Sequence, residues 1–243
     1  MTQRPDRPLV VGVAQLDSAV GDVTGNIARA VDVVTRASDA GAALVVLPEL
    51  SLTGYDLAAL ADATLWFTPD DGRLDRLRAL SADRGVWTVV GAPVDTGAAH
   101  HLASVVLAPD GSTVVAPKTH LHGEEVRWFD PGAGPTTLDV DGWCVALAVC
   151  ADTAAPEHAA AARAAGADVY ATSVLYTQGE ESLLAGRMAA RARDHAMTVV
   201  AANTAGRPLG QRSAGGSGVW APDGSAVRTA VGRDDELLVV PVP

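Results

Sequence analysis

Two spacings of apolar residues alternate along the chain. Residues 10–16 form a short apolar run of strand composition, and residues 26–40 place Ile27, Val31 and Val34 at the spacing of one helical face. Gly41 stands directly after that stripe, where a helix stop is expected. "AALVVLPEL" is then a continuous valine- and leucine-rich run, the signature of a strand covered on both faces. Residues 73–84 predict a second helix, closed by Gly85 and followed by the strand "VWTVVGA".

Two hairpin patterns come next. "LASVVLAPDGSTVVAPK" turns at Pro-Asp-Gly, and "TTLDVDGWCVALAVC" turns at Asp141-Gly142. Pro156 suits a first helical turn, so a third helix is expected over residues 156–165, with Gly166 behind it. The strand "DVYATSV", a helix over residues 183–195, the strand "TVVAAN", a hairpin "GVWAPDGSAVRT" and the strand "ELLVVPV" complete the series. Strand–helix units followed by a hairpin occur in both halves. The expected fold is α/β, with two mixed sheets packed face to face and helices outside. No linker, low-complexity segment or charge run interrupts the pattern, so residues 1–243 read as a single domain.

Composition narrows the partners. The chain has 243 residues, 48% hydrophobic and 19% charged, a globular balance with length enough for a sizeable core. The formal net charge is −11, Lys118 is the only lysine, and the arginines are scattered. Such a surface repels a phosphate backbone, so neither nucleic acid nor an anionic membrane is an expected partner. No run approaches the roughly 18 apolar residues of a spanning helix, and the start lacks a signal-peptide core. A cytoplasmic protein is expected.

The two cysteines, Cys144 and Cys150, fall in one extended segment. At about 3.3 Å per residue their Cα atoms are roughly 20 Å apart, too far to pair. Two free thiols fit a reducing compartment. There is no CxxC and no Cys/His cluster, which argues against zinc. Cys144 reads as a small core hydrophobe.

Three reactive side chains each stand where an apolar strand gives out. Glu49 follows "LVVLP", Lys118 follows "STVVAP" and Cys150 follows "CVALAV". Strand ends are where open α/β sheets hold their sites, and charged groups beside buried runs are rare unless paired. Their chemistry is complementary. A thiol must lose its proton to attack, and a carboxylate of raised pKa takes that proton and returns it to a departing nitrogen. An ammonium beside the carbonyl stabilises the developing oxyanion. Together they suit attack on a carbonyl or nitrile carbon with loss of ammonia or an amine.

"LVVLPELSLTGY", "APKTHLHGEEVRWFDPG" and "ALAVCADTAAPE" resemble the three signature segments of the nitrilase superfamily, the carbon–nitrogen hydrolases. The resemblance runs from Val11 to about Val240. It implies Glu49 as general base, Lys118 as oxyanion stabiliser, Cys150 as nucleophile, and Glu125 as a second glutamate orienting substrate and lysine. It also implies a four-layer α-β-β-α sandwich, no metal or organic cofactor, and a homodimer or higher homo-oligomer. This sequence departs from the usual pattern at Ala151, where a bulkier residue is common, at "HHLASVV", where an asparagine is missing, and at His158, which replaces an arginine.

The expected function is therefore a thiol-dependent hydrolase of non-peptide C–N bonds, acting on a small-molecule amide through an acyl-thioester on Cys150. A nitrilase, an N-carbamoyl amine hydrolase, an acyltransferase and a catalytically silent relative are the alternatives. Tyr55, Trp128, Ala151, Leu175 and Tyr176 are expected at the substrate pocket. His120 and His122 form an H-x-H pair without further ligands, read as a polar loop beside the site. "GGSGV" is not a nucleophile elbow, because Val219 occupies the last glycine position.

Overall fold

The computed structural model describes residues 7–242. The first half runs β1 (Val10–Gln15), α1 (Val23–Asp39), β2 (Leu44–Val46), α2 (Asp75–Arg84), β3 (Trp87–Asp95), β4 (His100–Leu107) and β5 (Thr113–Pro117). The second half runs β6 (Thr137–Val140), β7 (Trp143–Val149), α3 (Pro156–Ala164), β8 (Val169–Val174), α4 (Glu181–His195), β9 (Thr198–Asn203), β10 (Gly218–Trp220), β11 (Ala226–Thr229) and β12 (Glu236–Pro241).

They form two six-stranded mixed sheets, ordered β12-β1-β2-β3-β4-β5 and β11-β10-β9-β8-β7-β6. β1, β2 and β3 are parallel, as are β7, β8 and β9, and antiparallel hairpins extend both. Alternation along each strand sorts the core into layers. On β7, Trp143, Val145 and Leu147 enter the core between the sheets, while Ala146 and Ala148 face α3 and α4. On β1, Val11 and Val13 take the inter-sheet side, and Ala14 packs among residues of α1. The result is the expected α-β-β-α sandwich.

Local signals explain most element ends. Asp22 caps α1, which starts at Val23, three residues before the expected residue 26, its carboxylate accepting from Gly25 N at 2.9 Å. Gly85 ends α2 in the left-handed region, at φ 63°. The run read as one strand at "AALVVLPEL" is shorter: β2 stops at Val46, and the chain from Pro48 turns back on itself. Proline lacks the donor a ladder needs, and Leu50 takes φ 48°. This turn holds Glu49. Cys144 and Cys150 are both free thiols. No helix among the described residues is long and apolar enough to cross a membrane.

Candidate active site

Glu49 follows β2, Lys118 follows β5 and Cys150 follows β7, so the first sheet supplies two of the residues and the second sheet the third. β2, β3 and β5 run in one direction, and the bridge Leu16–Thr204 joins the ends of β1 and β9 in parallel. The three strand ends consequently share one edge of the sandwich.

The Glu49 turn is gripped closely. Leu52 N donates to Gly91 O at 3.0 Å, and Gly91 N donates to Ser51 Oγ at 2.9 Å. Gly91 is required here: a Cβ on it would stand 2.3 Å from Leu50 N and 2.6 Å from Pro48 O. Ser173 on β8 donates to Leu47 O at 2.7 Å, tying the second sheet to the strand that carries Glu49.

Lys118 Nζ donates to Glu49 Oε1 at 2.7 Å and to Glu125 Oε1 at 2.8 Å. All three residues are buried. Glu125 lies in a 3-10 turn, Gly123–Arg127, and its two oxygens are fully engaged. Oε1 also accepts from the Tyr55 hydroxyl at 2.6 Å, and Oε2 accepts from His122 N at 2.7 Å. Its neighbour Glu124 is exposed and pairs with Arg127. Tyr55, expected as a pocket wall, therefore directs its hydroxyl at Glu125.

Cys150 takes φ 42°. Plain alternation would set it on the face of Cys144, Ala146 and Ala148, towards the helices. The left-handed turn instead packs it with Leu50, Leu102, Phe129 and Val149, in a small cluster that also holds Tyr55 and Trp128. Its thiol donates to Leu175 O at 3.7 Å. Cys144, with no such turn, stays packed against the helix side.

The electrostatics follow from burial. Burial pushes Glu49 up to about 7, against the pull of Lys118, and Glu125 adds to the rise. Burial also pushes the Cys150 thiol far up, and Glu49 raises it further, with Lys118 opposing. Burial alone would depress Lys118, but Glu49, the Cys150 thiol and Glu125 hold its ammonium above the usual lysine range. At neutral pH the site thus presents a protonated thiol, a carboxylate balanced between its two states and a fixed cation. The second Glu49 oxygen, Oε2, is buried without a conventional partner, and the nearby thiol helps to stabilise its charge.

A cavity of about 370 Å³ reaches Glu49 and Tyr55. Its other walls come from the loop after β1, including Asp17 and Val20, and from residues 204–210 after β9. Both are strand-end segments, yet neither carries a periodic signal that marks it as a wall. Ala151 follows Cys150 in the chain and Leu175 O accepts from the thiol across the fold, but Tyr176 turns away. It packs against the α4 side and its hydroxyl meets Thr153 and Arg187. The segment bearing Leu175 is pinned by Asn203, which accepts from Tyr176 N at 2.8 Å and donates to Tyr176 O at 3.2 Å. His120 and His122 lie in a loop, and among the described residues no group of three or more His, Cys, Asp or Glu side chains could hold a metal ion.

Comparison with known proteins agrees with this frame. Residues 10–243 match the model of the carbon–nitrogen hydrolase family, and the chain belongs to that family. It is a nitrilase-superfamily hydrolase acting on C–N bonds other than peptide bonds. An (R)-stereoselective amidase from a Pseudomonas species is 31% identical over 95% of this chain and 83% of its own. A nitrilase from Pyrococcus abyssi is 27% identical over 96% of this chain and 88% of its own. An amidase from Nesterenkonia sp. AN1, solved as a cysteine-to-alanine mutant in complex with butyramide, superposes with a TM-score of 0.88. It is 28% identical, over 98% of this chain and 92% of that one.

Proposed function

We propose that this protein is an amidase that hydrolyses small aliphatic amides to the acid and ammonia. The observation that carries the reading is the buried contact of Lys118 with both Glu49 and Glu125, in the cluster that holds the Cys150 thiol. The Nesterenkonia amidase, with its butyramide complex, supports the choice of substrate class.

Because the thiol is protonated at rest, attack and deprotonation are coupled. Cys150 Sγ bonds to the amide carbon as Glu49 takes the thiol proton. The carbonyl oxygen becomes an oxyanion held by Lys118 Nζ and a backbone amide near Ala151. Glu49 then gives its proton to the amide nitrogen, the C–N bond breaks, and ammonia leaves an acyl-thioester on Cys150. Water attacks the thioester while Glu49 accepts one of its protons. Collapse releases the carboxylic acid and returns the proton to sulfur. Glu125 stays bonded to Lys118 and Tyr55 throughout and keeps the ammonium aimed.

A nitrile is the second substrate class, favoured by the likeness to the Pyrococcus abyssi nitrilase. The thiol would add to the nitrile carbon, and two waters would be consumed in place of one. The test is ammonia release from matched amides and nitriles such as butyramide and butyronitrile. Faster turnover of the amide supports the amidase reading; exclusive turnover of the nitrile overturns it.

A further inference from the structure

Asp152 lies two residues after Cys150, is 1% exposed, and belongs to none of the contacts described so far. Donors from both arms of the site converge on it. Its Oδ1 accepts from Thr119 N at 3.1 Å and from His120 N at 2.7 Å, and His120 Nδ1 lies 3.0 Å away. Its Oδ2 accepts from Val149 N at 2.9 Å. Thr119 is the residue after Lys118, and Val149 is the residue before Cys150. One buried carboxylate thus joins the backbone beside the cation to the backbone beside the thiol, across two different sheets.

We infer that Asp152 is a positioning residue, a clamp that fixes where the Lys118 ammonium stands relative to the Cys150 thiol; this rests on the amidase reading above. The Ser173–Leu47 hydrogen bond ties the sheets beside Glu49, but the rest of their contact is mainly apolar packing, which is non-directional and tolerates small slides. The reaction does not tolerate them, since a displacement of about 1 Å at a reacting centre costs on the order of 100-fold. The clamp also needs directional bonds because residues 118–122 are not part of any strand. Behind it, His158 Nε2 lies 3.8 Å from Oδ2 while its Nδ1 meets the Tyr170 hydroxyl at 2.8 Å.

The test is Asp152→Asn, which keeps the size but turns one acceptor into a donor facing an N–H group. With folding checked by thermal melting, kcat for butyramide should fall at least tenfold while KM stays within threefold. Iodoacetamide alkylation, read by peptide mass, should slow at Cys150 by a similar factor and be unchanged at Cys144. Unchanged kcat, or equal slowing at both thiols, would overturn the clamp. If the wild type hydrolyses no amide, the functional reading fails, and the alkylation comparison still decides the clamp. If the variant does not fold, hydrogen exchange of the wild type decides it. Thr119 and His120 amides should be protected as deeply as those of β7, and loop-like exchange would overturn the inference.

Discussion

Lys118 Nζ lies 2.7 Å from Glu49 Oε1 with the two side chains at 0% and 1% exposure. Glu125 shares the same nitrogen at 2.8 Å, so one buried cation serves two buried carboxylates. Such an arrangement is poor economy for stability, because desolvating ions costs more than one ion pair returns. The excess negative charge is relieved by a proton, and Glu49 is the group whose pKa burial has lifted to about 7. A carboxylate that both accepts and releases a proton near neutrality is what amide cleavage by a thiol requires.

Removing the cation should expose that cost. Lys118→Met leaves Glu49 and Glu125 without their shared partner, a loss of about 3–5 kcal/mol by comparison with broken buried ion pairs. Urea unfolding at pH 7 should show it, and activity should be lost. The deficit should shrink at pH 5, below the raised pKa of Glu49, where that carboxyl group is held protonated and uncharged.

The rate should titrate with Glu49. In the proposed mechanism Glu49 must be ionised to accept the thiol proton, so kcat/KM should rise with pH through about 7 and level off above it. Lysine and thiol are both held above their usual ranges, so no alkaline fall is expected below about pH 9. Glu49→Gln should lose about 100- to 10,000-fold and show no such limb. A wild-type profile flat from pH 5 to 9 would contradict the assignment.

Gly91 predicts a packing effect at a distance from the thiol. Its absent side chain lets β3 approach the Glu49 turn, and an alanine Cβ would meet backbone at 2.3 and 2.6 Å. Backbone atoms cannot rotate aside, so Gly91→Ala should destabilise by about 1–3 kcal/mol, the usual cost of overpacking. Activity should fall further than stability alone explains, because the turn that moves carries Glu49. Differential scanning calorimetry beside kinetics separates the two.

His158 predicts the response to acid. It is buried, and burial holds its pKa below the ordinary histidine value, with the His120 charge lowering and Asp152 raising it. An unfolded imidazole takes up its proton near pH 6.5, the folded one only at lower pH. Between those values the unfolded state binds more protons, so folding stability rises with pH. Stability should therefore decline as pH drops below about 6.5, and His158→Gln should flatten that decline. A variant with the same acid slope as the wild type would remove His158 from the account.

The chain makes its strands and its reactive residues readable for the same reason. Glu49, Lys118 and Cys150 each follow a run of apolar residues, and a charge or thiol set at the end of such a run stands out. What joins those ends is not local. Tyr55 meets Glu125 across 70 positions, and Asn203 pins Tyr176 across 27, so no periodicity marks either contact. The left-handed backbone at Cys150 is equally silent, since a cysteine carries no preference for it. The cavity walls at residues 204–210 look like an ordinary glycine- and proline-bearing loop. Only the register of the two sheets brings them over Glu49.

In the proposed reaction the Cys150 thiol forms and breaks the bond to the acyl carbon. The most direct measurement is rapid-quench intact-mass analysis of wild type and Cys150→Ala mixed with butyramide, with ammonia release followed in parallel. A transient mass gain of one butyryl group on the wild type, mapped to Cys150, is expected, with ammonia from the wild type alone. Ammonia release by Cys150→Ala at a comparable rate would contradict it.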